Sequence, residues 1–138
     1  MSISNRKVVI VGAGHVGSHV GYALISQSLA DEIVYIDSDH AKAVAQALDL
    51  TDATNYLPVR TKVTAGDYSD AKDAQIMIIS AGPLPTGNQT RMDTLGQTIA
   101  ILKDVTKSIR ESGFDGIIVS ISNPADVIAH YIQHTLNW

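Results

Sequence analysis

The sequence predicts an α/β domain in which helices cover both faces of a doubly wound parallel sheet with the strand order 3-2-1-4-5. Short, almost wholly apolar runs alternate along the chain with segments whose apolar residues recur at helical spacing. This alternation is typical of parallel strands that helices bury on both sides. A glycine-rich turn also joins the first apolar run to the first helix, as the first unit of such a sheet requires. The length of 138 residues suits one domain.

The five strands are predicted from these apolar runs, which are bounded by glycine, proline and polar residues. No internal repeat or linker interrupts them. The strands are expected at residues 7–11, 32–37, 60–64, 75–80 and 116–121.

The four helices are predicted from the period of their apolar residues. The first, at residues 15–28, carries Val16, Val20, Ala23, Leu24 and Ile25. The second, at 40–54, carries Ala43, Ala47, Leu48 and Leu50. A Gly/Pro-rich loop at 81–90 precedes a long helix that ends before Gly113 and carries Leu95, Ile99, Leu102, Val105 and Ile109. The last helix is expected to begin at Asn123-Pro124 and to end near Trp138.

The composition excludes several classes of function. Lysine and arginine are scattered, aromatic residues make up only 5% of the chain and the net charge is −4, so no nucleic-acid surface is predicted. The absence of cysteine excludes disulfide and zinc–thiolate chemistry. His130 and His134 have a spacing that permits metal binding, but no metalloprotease pattern accompanies them, so no metal site is expected. No leader and no apolar run of membrane-spanning length is recognised, so we expect a cytoplasmic protein without a membrane partner.

The glycine-rich turn is the most informative motif, because each of its glycines meets a physical requirement of a dinucleotide site. Gly12 allows the tight turn after the first strand, Gly14 lets the backbone approach a pyrophosphate, and Gly17 lets the helix pack closely on the sheet. The helix that follows directs its free N–H groups at the anion. Asp37 ends the second strand 20 residues beyond Gly17, where a carboxylate accepts hydrogen bonds from ribose hydroxyls.

Asp37 also predicts which dinucleotide binds. A 2′-phosphate about 4 Å from this carboxylate would cost about 4 kcal/mol at an effective dielectric constant of about 20, before screening. No arginine or lysine follows immediately to offset that repulsion, so NAD is favoured over NADP. Lys42 lies five residues further on, where it reaches either the adenosine edge of the site or only solvent.

Six segments of the chain together resemble the L-lactate/L-malate dehydrogenase family, most closely its L-lactate and L-2-hydroxyisocaproate dehydrogenase branch. They are GAGHVG (12–17), IVYID (33–37), GDYSDAKDAQI (66–76), SAG (80–82), TRMD (90–93) and SNPADV (122–127). The resemblance spans nearly the whole chain. It implies a Rossmann fold, NAD as the cofactor, and hydride transfer between NADH and a small 2-oxo acid.

The resemblance also implies roles for individual residues. Arg91 matches an arginine on a mobile loop that polarises the substrate carbonyl, as charge growing on that oxygen requires. Asn123 matches an asparagine that bonds the substrate oxygen beside the nicotinamide. Without the resemblance, Arg91 reads as a solvated residue at a helix start and Asn123 as a turn residue before proline. The remaining residues expected at the cofactor are His15, Val16, Tyr68, Ala81, Gly82, Ile121 and Ser122, of which Tyr68 is equally compatible with simple packing.

Two departures from the family bear on the substrate. Pro85 occupies a position where the family commonly carries Gln or Arg, and an arginine there would pair with the second carboxylate of oxaloacetate. Pro85 offers neither charge nor donor, which argues against malate dehydrogenase and for a monocarboxylic 2-oxo acid, unless it only stiffens the loop. Asp52 stands where lactate dehydrogenases often have histidine, which weakens the assignment to strict lactate dehydrogenases.

The family's proton-donating histidine, its aspartate partner and its carboxylate-binding arginine all follow a sixth strand. None of the five histidines of this chain lies in that context. We therefore expect residues 1–138 to be the NAD-binding domain alone, without the sixth strand and substrate domain, and to be inactive by itself. The alternatives are malate dehydrogenase, or a non-catalytic nucleotide-binding or redox-sensing module. Helix 40–54 resembles a subunit contact of the family, so the full enzyme is expected to be a homo-oligomer.

Overall fold

The computed structural model describes residues 5–58 and 60–138. The strands are β1 (Lys7–Val11), β2 (Glu32–Ile36), β3 (Lys62–Ala65), β4 (Ile76–Ile79) and β5 (Ile117–Ser120). The α-helices are α1 (His15–Ser26), α2 (His40–Thr54), α3 (Leu95–Ser112) and α4 (Ala125–Leu136), and a short 3₁₀ helix spans Tyr68–Ala71. The sheet is parallel throughout, with the order β3-β2-β1-β4-β5. The predicted fold class and strand order are confirmed.

Two apolar layers enclose the sheet, because successive side chains of each strand point to opposite faces. On one face, Val9 and Met77 pack with α3 and α4. On the other face, Ile10 and Tyr35 pack with α1 and α2. The central strand β1 is buried along its whole length, as its unbroken apolar run predicts.

The predicted buried face of α1 is confirmed only in part. Ile25 is buried, and Val20 and Leu24 pack partly buried against the core. Val16 and Ala23 are exposed, and the helix buries Gly17 and Gly21 as well. The reason is Tyr35 in β2, whose hydroxyl donates a hydrogen bond to the Gly17 carbonyl oxygen at 3.1 Å. A Cβ at Gly21 would lie 1.9 Å from that hydroxyl oxygen, so only glycine lets α1 lie over the ring. The helix ends at Ser26, two residues before the predicted end.

Smaller corrections concern the edges of the domain. Leu48, predicted on the buried face of α2, is 61% exposed, because Ala43, Ala47 and Leu50 supply that face. The strand β3 begins two residues later than predicted, and the 3₁₀ helix after it was not expected. At the other edge, Ile117 and Val119 of β5 are exposed on the face that α1 and α2 cover elsewhere, so helices do not bury both faces of this strand.

In the described ranges, no helix is both long enough and apolar enough to cross a lipid bilayer. Because the sheet is parallel, the loops that follow β1, β2, β4 and β5 meet at one edge, together with the 3₁₀ helix after β3. The order reverses between β1 and β4, and a crevice for a ligand is expected at that point.

Candidate dinucleotide site

A cavity of about 550 Å³ opens at this carboxyl edge of the sheet. Its walls come from the glycine turn after β1, the loop after β2, the 3₁₀ helix, the loop after β4 and one side of α3. The predicted residues that line it are Gly12, Gly14, Asp37, Lys42, Tyr68, Ala81 and Gly82. The cavity therefore brings together predicted residues from three loops, the start of α2 and the 3₁₀ helix.

The three glycines of the turn differ in what surrounds them. Gly12 has a φ of +103°, which L side chains rarely adopt. A Cβ on Gly17 would lie 1.9 Å from the Gly12 carbonyl oxygen, so this glycine serves close packing of α1 against the turn. A Cβ on Gly14 would meet only the Lys42 Nζ, at 3.9 Å, so its backbone faces open space in the cavity. A ligand can therefore approach the backbone at Gly14, whereas the Gly12 N–H already donates to the Ile36 carbonyl oxygen at 2.8 Å.

Asp37 is tied to the glycine turn by its own side chain. Its Oδ2 accepts a hydrogen bond from the Ala13 N–H at 2.7 Å, and its Oδ1 accepts one from the Asp39 N–H at 2.9 Å. Each carboxylate oxygen keeps a further lone pair for a ligand hydroxyl. The carboxylate is therefore held in a fixed place between the turn and the entrance of α2, which sequence reasoning did not foresee.

Tyr68 and Lys42 line the same cavity as the Asp37 carboxylate. Burial, followed by the negative charge of nearby Asp37, raises the pKa of the Tyr68 hydroxyl to about 12, so the side chain is a neutral donor at physiological pH. Lys42 follows Asp39, whose carboxylate accepts a hydrogen bond from the Lys42 N–H and caps α2. The ammonium group of Lys42 lies near Gly14 of the glycine turn. The cavity is therefore lined by both a positive charge, from Lys42, and the Asp37 carboxylate.

A second, smaller cavity of about 80 Å³ adjoins the first one. The segment from Ser80 to Pro83 lines both cavities. The predicted residues around the small cavity are Val16, Ala81, Gly82, Arg91, Ile121, Ser122 and Asn123, together with Pro85 of the loop. Arg91 and Asn123, which are 32 positions apart in the sequence, thus share one cavity next to the larger one.

The turn that carries Arg91 is held by its neighbours. Asp93 accepts hydrogen bonds from the Thr90 N–H at 2.6 Å and from the Thr90 hydroxyl at 2.8 Å, and these bonds lower the pKa of Asp93. The Thr94 hydroxyl donates to the Arg91 carbonyl oxygen at 3.0 Å. The backbone of Arg91 is fixed in this way while its side chain stays exposed. The T-x-x-D pattern is a known helix-entry signature and could have been recognised in the sequence.

Two of the residues predicted at the cofactor, His15 and Gly17, line neither cavity. His15 begins α1 with an exposed side chain, and Gly17 is buried beneath the turn. Ser122 lies at the small cavity, but it is itself buried and its hydroxyl donates to the Ala81 carbonyl oxygen at 2.6 Å. The Asn123–Pro124 peptide bond that follows is cis.

One wall of the large cavity was not predicted from the sequence. Four residues of α3 line it, and they recur at positions i, i+3, i+4 and i+7, which lie on one helical face: Ile101, Asp104, Val105 and Ser108. The sequence pattern identified only Val105, as a core residue. The polar members are ordinary surface residues by sequence and show no motif.

Comparison with known proteins identifies this arrangement. The family model described as "lactate/malate dehydrogenase, NAD binding domain" matches residues 6–137. The chain belongs to the lactate/malate dehydrogenase family. It is the NAD-binding domain of that family, as its glycine turn and strand order predicted, and NAD is the indicated cofactor.

The relatives and solved structures carry lactate dehydrogenase names. The chain is 44% identical over 132 residues to L-lactate dehydrogenase 3 of Bacillus cereus, and 43% identical over 131 residues to L-lactate dehydrogenase 1 of Bifidobacterium longum. These alignments cover 96% and 95% of this chain and 42% of each relative. The ligand-bound minor L-lactate dehydrogenase of Enterococcus mundtii superposes with a TM-score of 0.92 at 38% identity, over 98% of this chain and 43% of that one.

A more distant solved structure has the same fold. The lactate dehydrogenase of Cryptosporidium parvum, in complex with lactic acid and nicotinamide adenine dinucleotide, gives a TM-score of 0.90 at 26% identity. It is covered over 43% of its length, and 98% of this chain is aligned. The chain therefore spans about two fifths of the length of the relatives that it matches.

Proposed function

We propose that this chain is the cofactor-binding part of an NAD-dependent L-2-hydroxyacid dehydrogenase that interconverts a 2-oxo monocarboxylic acid and its L-2-hydroxy acid. The observation that carries the proposal is the shared wall from Ser80 to Pro83 between the two cavities. A dinucleotide in the large cavity would have its other end in the small one, next to Arg91 and Asn123. A simple nucleotide-binding module has no use for an arginine and an amide at that place.

The larger cavity fits the cofactor. Open backbone at Gly14 suits a pyrophosphate, the Lys42 ammonium adds a positive charge beside it, and the two fixed oxygens of Asp37 suit the ribose hydroxyls. When bound, NAD supplies the hydride chemistry. The protein residues bind and orient it, and Ile121 and Val16 give the far end of the site an apolar wall.

We assign the substrate oxygen to Arg91 and Asn123. A guanidinium stabilises the negative charge that grows on a carbonyl oxygen, and an amide donates to a ketone or accepts from an alcohol, so the pair serves both directions. The exposed side chain of Arg91 is free to close over a substrate from a turn whose backbone is already fixed.

Pro85 and Leu84 support a monocarboxylic substrate with an aliphatic side chain. Both line the small cavity, and neither offers a charge to a second carboxylate. The names of the relatives point the same way, since those relatives are L-lactate dehydrogenases. In the full enzyme, Pro85→Arg should therefore raise activity on oxaloacetate relative to pyruvate, measured as the ratio of the two kcat/KM values.

The proposal includes a larger, oligomeric enzyme in the cytoplasm. The outer edge of β5 is unpaired within the described sheet, and Ile117 is 66% exposed, as expected where a further strand and substrate domain join. The exposed apolar side chains of Leu48 and Val44 on α2 suit a contact between subunits. Size-exclusion chromatography of the full enzyme with and without Leu48→Glu tests this contact.

Thermal denaturation of the 138-residue chain tests the cofactor assignment. NADH at about 100 times its dissociation constant should stabilise the fold by about 2.7 kcal/mol. The matched variant is Gly14→Val, because Gly14 has an extended backbone with φ −77° and ψ −170°, and its Cβ would project into open cavity. This variant should lose the NADH-induced rise. Its own melting temperature should fall by only a few degrees, because valine is a poorer N-cap of α1 than glycine. An unchanged melting temperature of the wild-type chain in saturating NADH would contradict the proposal.

We also expect the chain alone not to reduce pyruvate, because no histidine is found near Arg91 and Asn123 among the residues lining the small cavity. The oxidation of NADH, followed by its absorbance, measures this. Turnover by the purified chain would show that its own residues complete the reaction and would refute the assignment of proton donation to a further domain.

A further inference from the structure

The cavity wall contributed by α3 carries two polar groups that the proposed function does not use. Asp104 and Ser108 lie one helical turn apart and border the same cavity as Asp37 and Ser38. Among the described residues, the carboxylate of Asp104 takes part in no ion pair, whereas both oxygens of Asp37 are already engaged by backbone N–H groups. Asp104 is therefore a free acceptor at the rim of a binding cavity.

The order of groups along the cavity indicates what reaches this acceptor. With the pyrophosphate at Gly14 and a ribose at Asp37, one end of the dinucleotide continues past Ala81 to the small cavity. The other end, the adenine base, then lies between Asp37 and α3. Ile101, which is 39% exposed, and Tyr68 offer it apolar surface there. This step rests on the proposed function.

We propose that Asp104 selects the 6-amino group of the adenine base, with Ser108 as the second polar contact at the ring edge. An ionised carboxylate only accepts hydrogen bonds, so it matches the two N–H donors of an amine. A base such as hypoxanthine has a carbonyl oxygen in place of the 6-amino group. This oxygen and the Asp104 carboxylate are both acceptors, so they repel each other. The site thereby distinguishes adenine from hypoxanthine dinucleotides at a point remote from the reacting carbon.

The test compares the binding of NADH and of reduced nicotinamide hypoxanthine dinucleotide to the 138-residue chain, by fluorescence titration at fixed ionic strength. We expect the wild-type chain to bind NADH at least about fivefold more tightly than the hypoxanthine dinucleotide. A factor of this size corresponds to one hydrogen bond to a charged group at the solvated rim of a cavity. Asp104→Ala should bring the ratio of the two dissociation constants to about one. Asp104→Asn should also bring it close to one, because an amide accepts from the amine and donates to the carbonyl.

The matched control is Asp115→Ala, which removes an equal charge from an exposed site just beyond α3 that lines neither cavity. It should leave the ratio at its wild-type value. If Asp104→Ala does not fold, Asp104→Asn decides the question, since it keeps the size of the side chain. A ratio that is unchanged in the Asp104 variants, while NADH still binds, would overturn the role of Asp104 alone. Failure of the wild-type chain to bind NADH would overturn the proposed function and this inference together.

Discussion

Substituting Asp37 by asparagine should weaken the discrimination of the domain between NADH and NADPH. The carboxylate is held by the Ala13 and Asp39 N–H groups at 2.7 and 2.9 Å, so it does not swing away from a ligand phosphate. Two unit charges about 4 Å apart interact by about 4 kcal/mol at an effective dielectric constant of about 20. Solvent screening at the partly exposed Asp37 and the nearby Lys42 ammonium reduce this repulsion, and we expect about 2 kcal/mol, or about thirtyfold in relative affinity.

Fluorescence titrations of the chain with NADH and NADPH, at low and high salt, measure the effect. Asp39→Asn is the charge-matched control, because Asp39 lies two residues away, is exposed and lines neither cavity. Its effect on the NADH/NADPH ratio should be several times smaller and should vanish at high salt. Equal affinity of the wild-type chain for both cofactors would refute the reasoning, as would an identical change of the ratio in both variants.

Three further substitutions test other parts of the structure. In the full enzyme, Arg91→Gln should lower the rate of hydride transfer in single-turnover kinetics by about 100-fold or more and leave the affinity for NADH nearly intact. Arg91→Lys should restore part of the rate. Equal rates of the wild type and Arg91→Gln would show that Arg91 is only a surface residue. Gly17→Ala should destabilise the chain by about 1–3 kcal/mol in urea denaturation, because its Cβ would lie 1.9 Å from a carbonyl oxygen of the turn. The control Gly96→Ala should not destabilise the chain, because a Cβ at Gly96 meets open space. Hydrogen bonds from the Arg6 guanidinium and N–H lower the pKa of Asp31 to about 2 from 3.8. The stabilisation by this pair is therefore complete above about pH 5 and is lost progressively as the pH falls through the folded-state value of about 2. The difference in melting temperature between the wild type and Arg6→Ala should shrink over that window, and a constant difference would exclude the ion pair as its cause.

The order of the strands could be predicted because a local signal, the glycine turn after the first apolar run, indicates a fold whose strand order is known. The apolar runs of β1 and β2 have no helical period, and the glycine turn fixes which of them begins the first unit. Asp37 follows from its distance to that turn. The glycine turn and Asp37 belong to segments that are close in sequence. The length of the chain between such segments limits how far apart they can lie in the fold.

The burial of Gly21 and the exposure of Val16 could not be predicted, because both depend on a contact between elements. By composition, Val16 looks more like a core residue than Gly21. The ring of Tyr35 lies beneath the helix and fills the space where a side chain at Gly21 would be. Only the three-dimensional register of β2 against α1 shows that close approach, and not side-chain volume, decides which side of the helix faces the sheet.

The polar wall of α3 escaped prediction for a different reason. Asp104 and Ser108 sit on a helix whose exposed side is polar throughout, and nothing in the pattern separates a residue at a cavity from one in solvent. Their position follows from the crossover of the chain after β4, which lays α3 beside the loop that ends β2. The motifs therefore identify the residues that we assign to the phosphates and the ribose, whereas the residues that we assign to the base are found only in the structure.

Serine hydroxyls connect the two cavities into one unit. The Ser80 hydroxyl, at the end of β4, donates to the Gly12 carbonyl oxygen at 2.9 Å, and the Ser122 hydroxyl, after β5, donates to the Ala81 carbonyl oxygen at 2.6 Å. These two hydrogen bonds link the glycine turn to the loop after β4, and that loop to the loop that carries Asn123. The three loops follow three neighbouring strands of the sheet. These bonds hold the start of the loop that carries Arg91, so a movement of that loop over a substrate need not disturb the turn that we assign to the pyrophosphate. This separation is the physical reason to expect that Arg91 affects the rate of reaction and Gly14 the affinity for the cofactor.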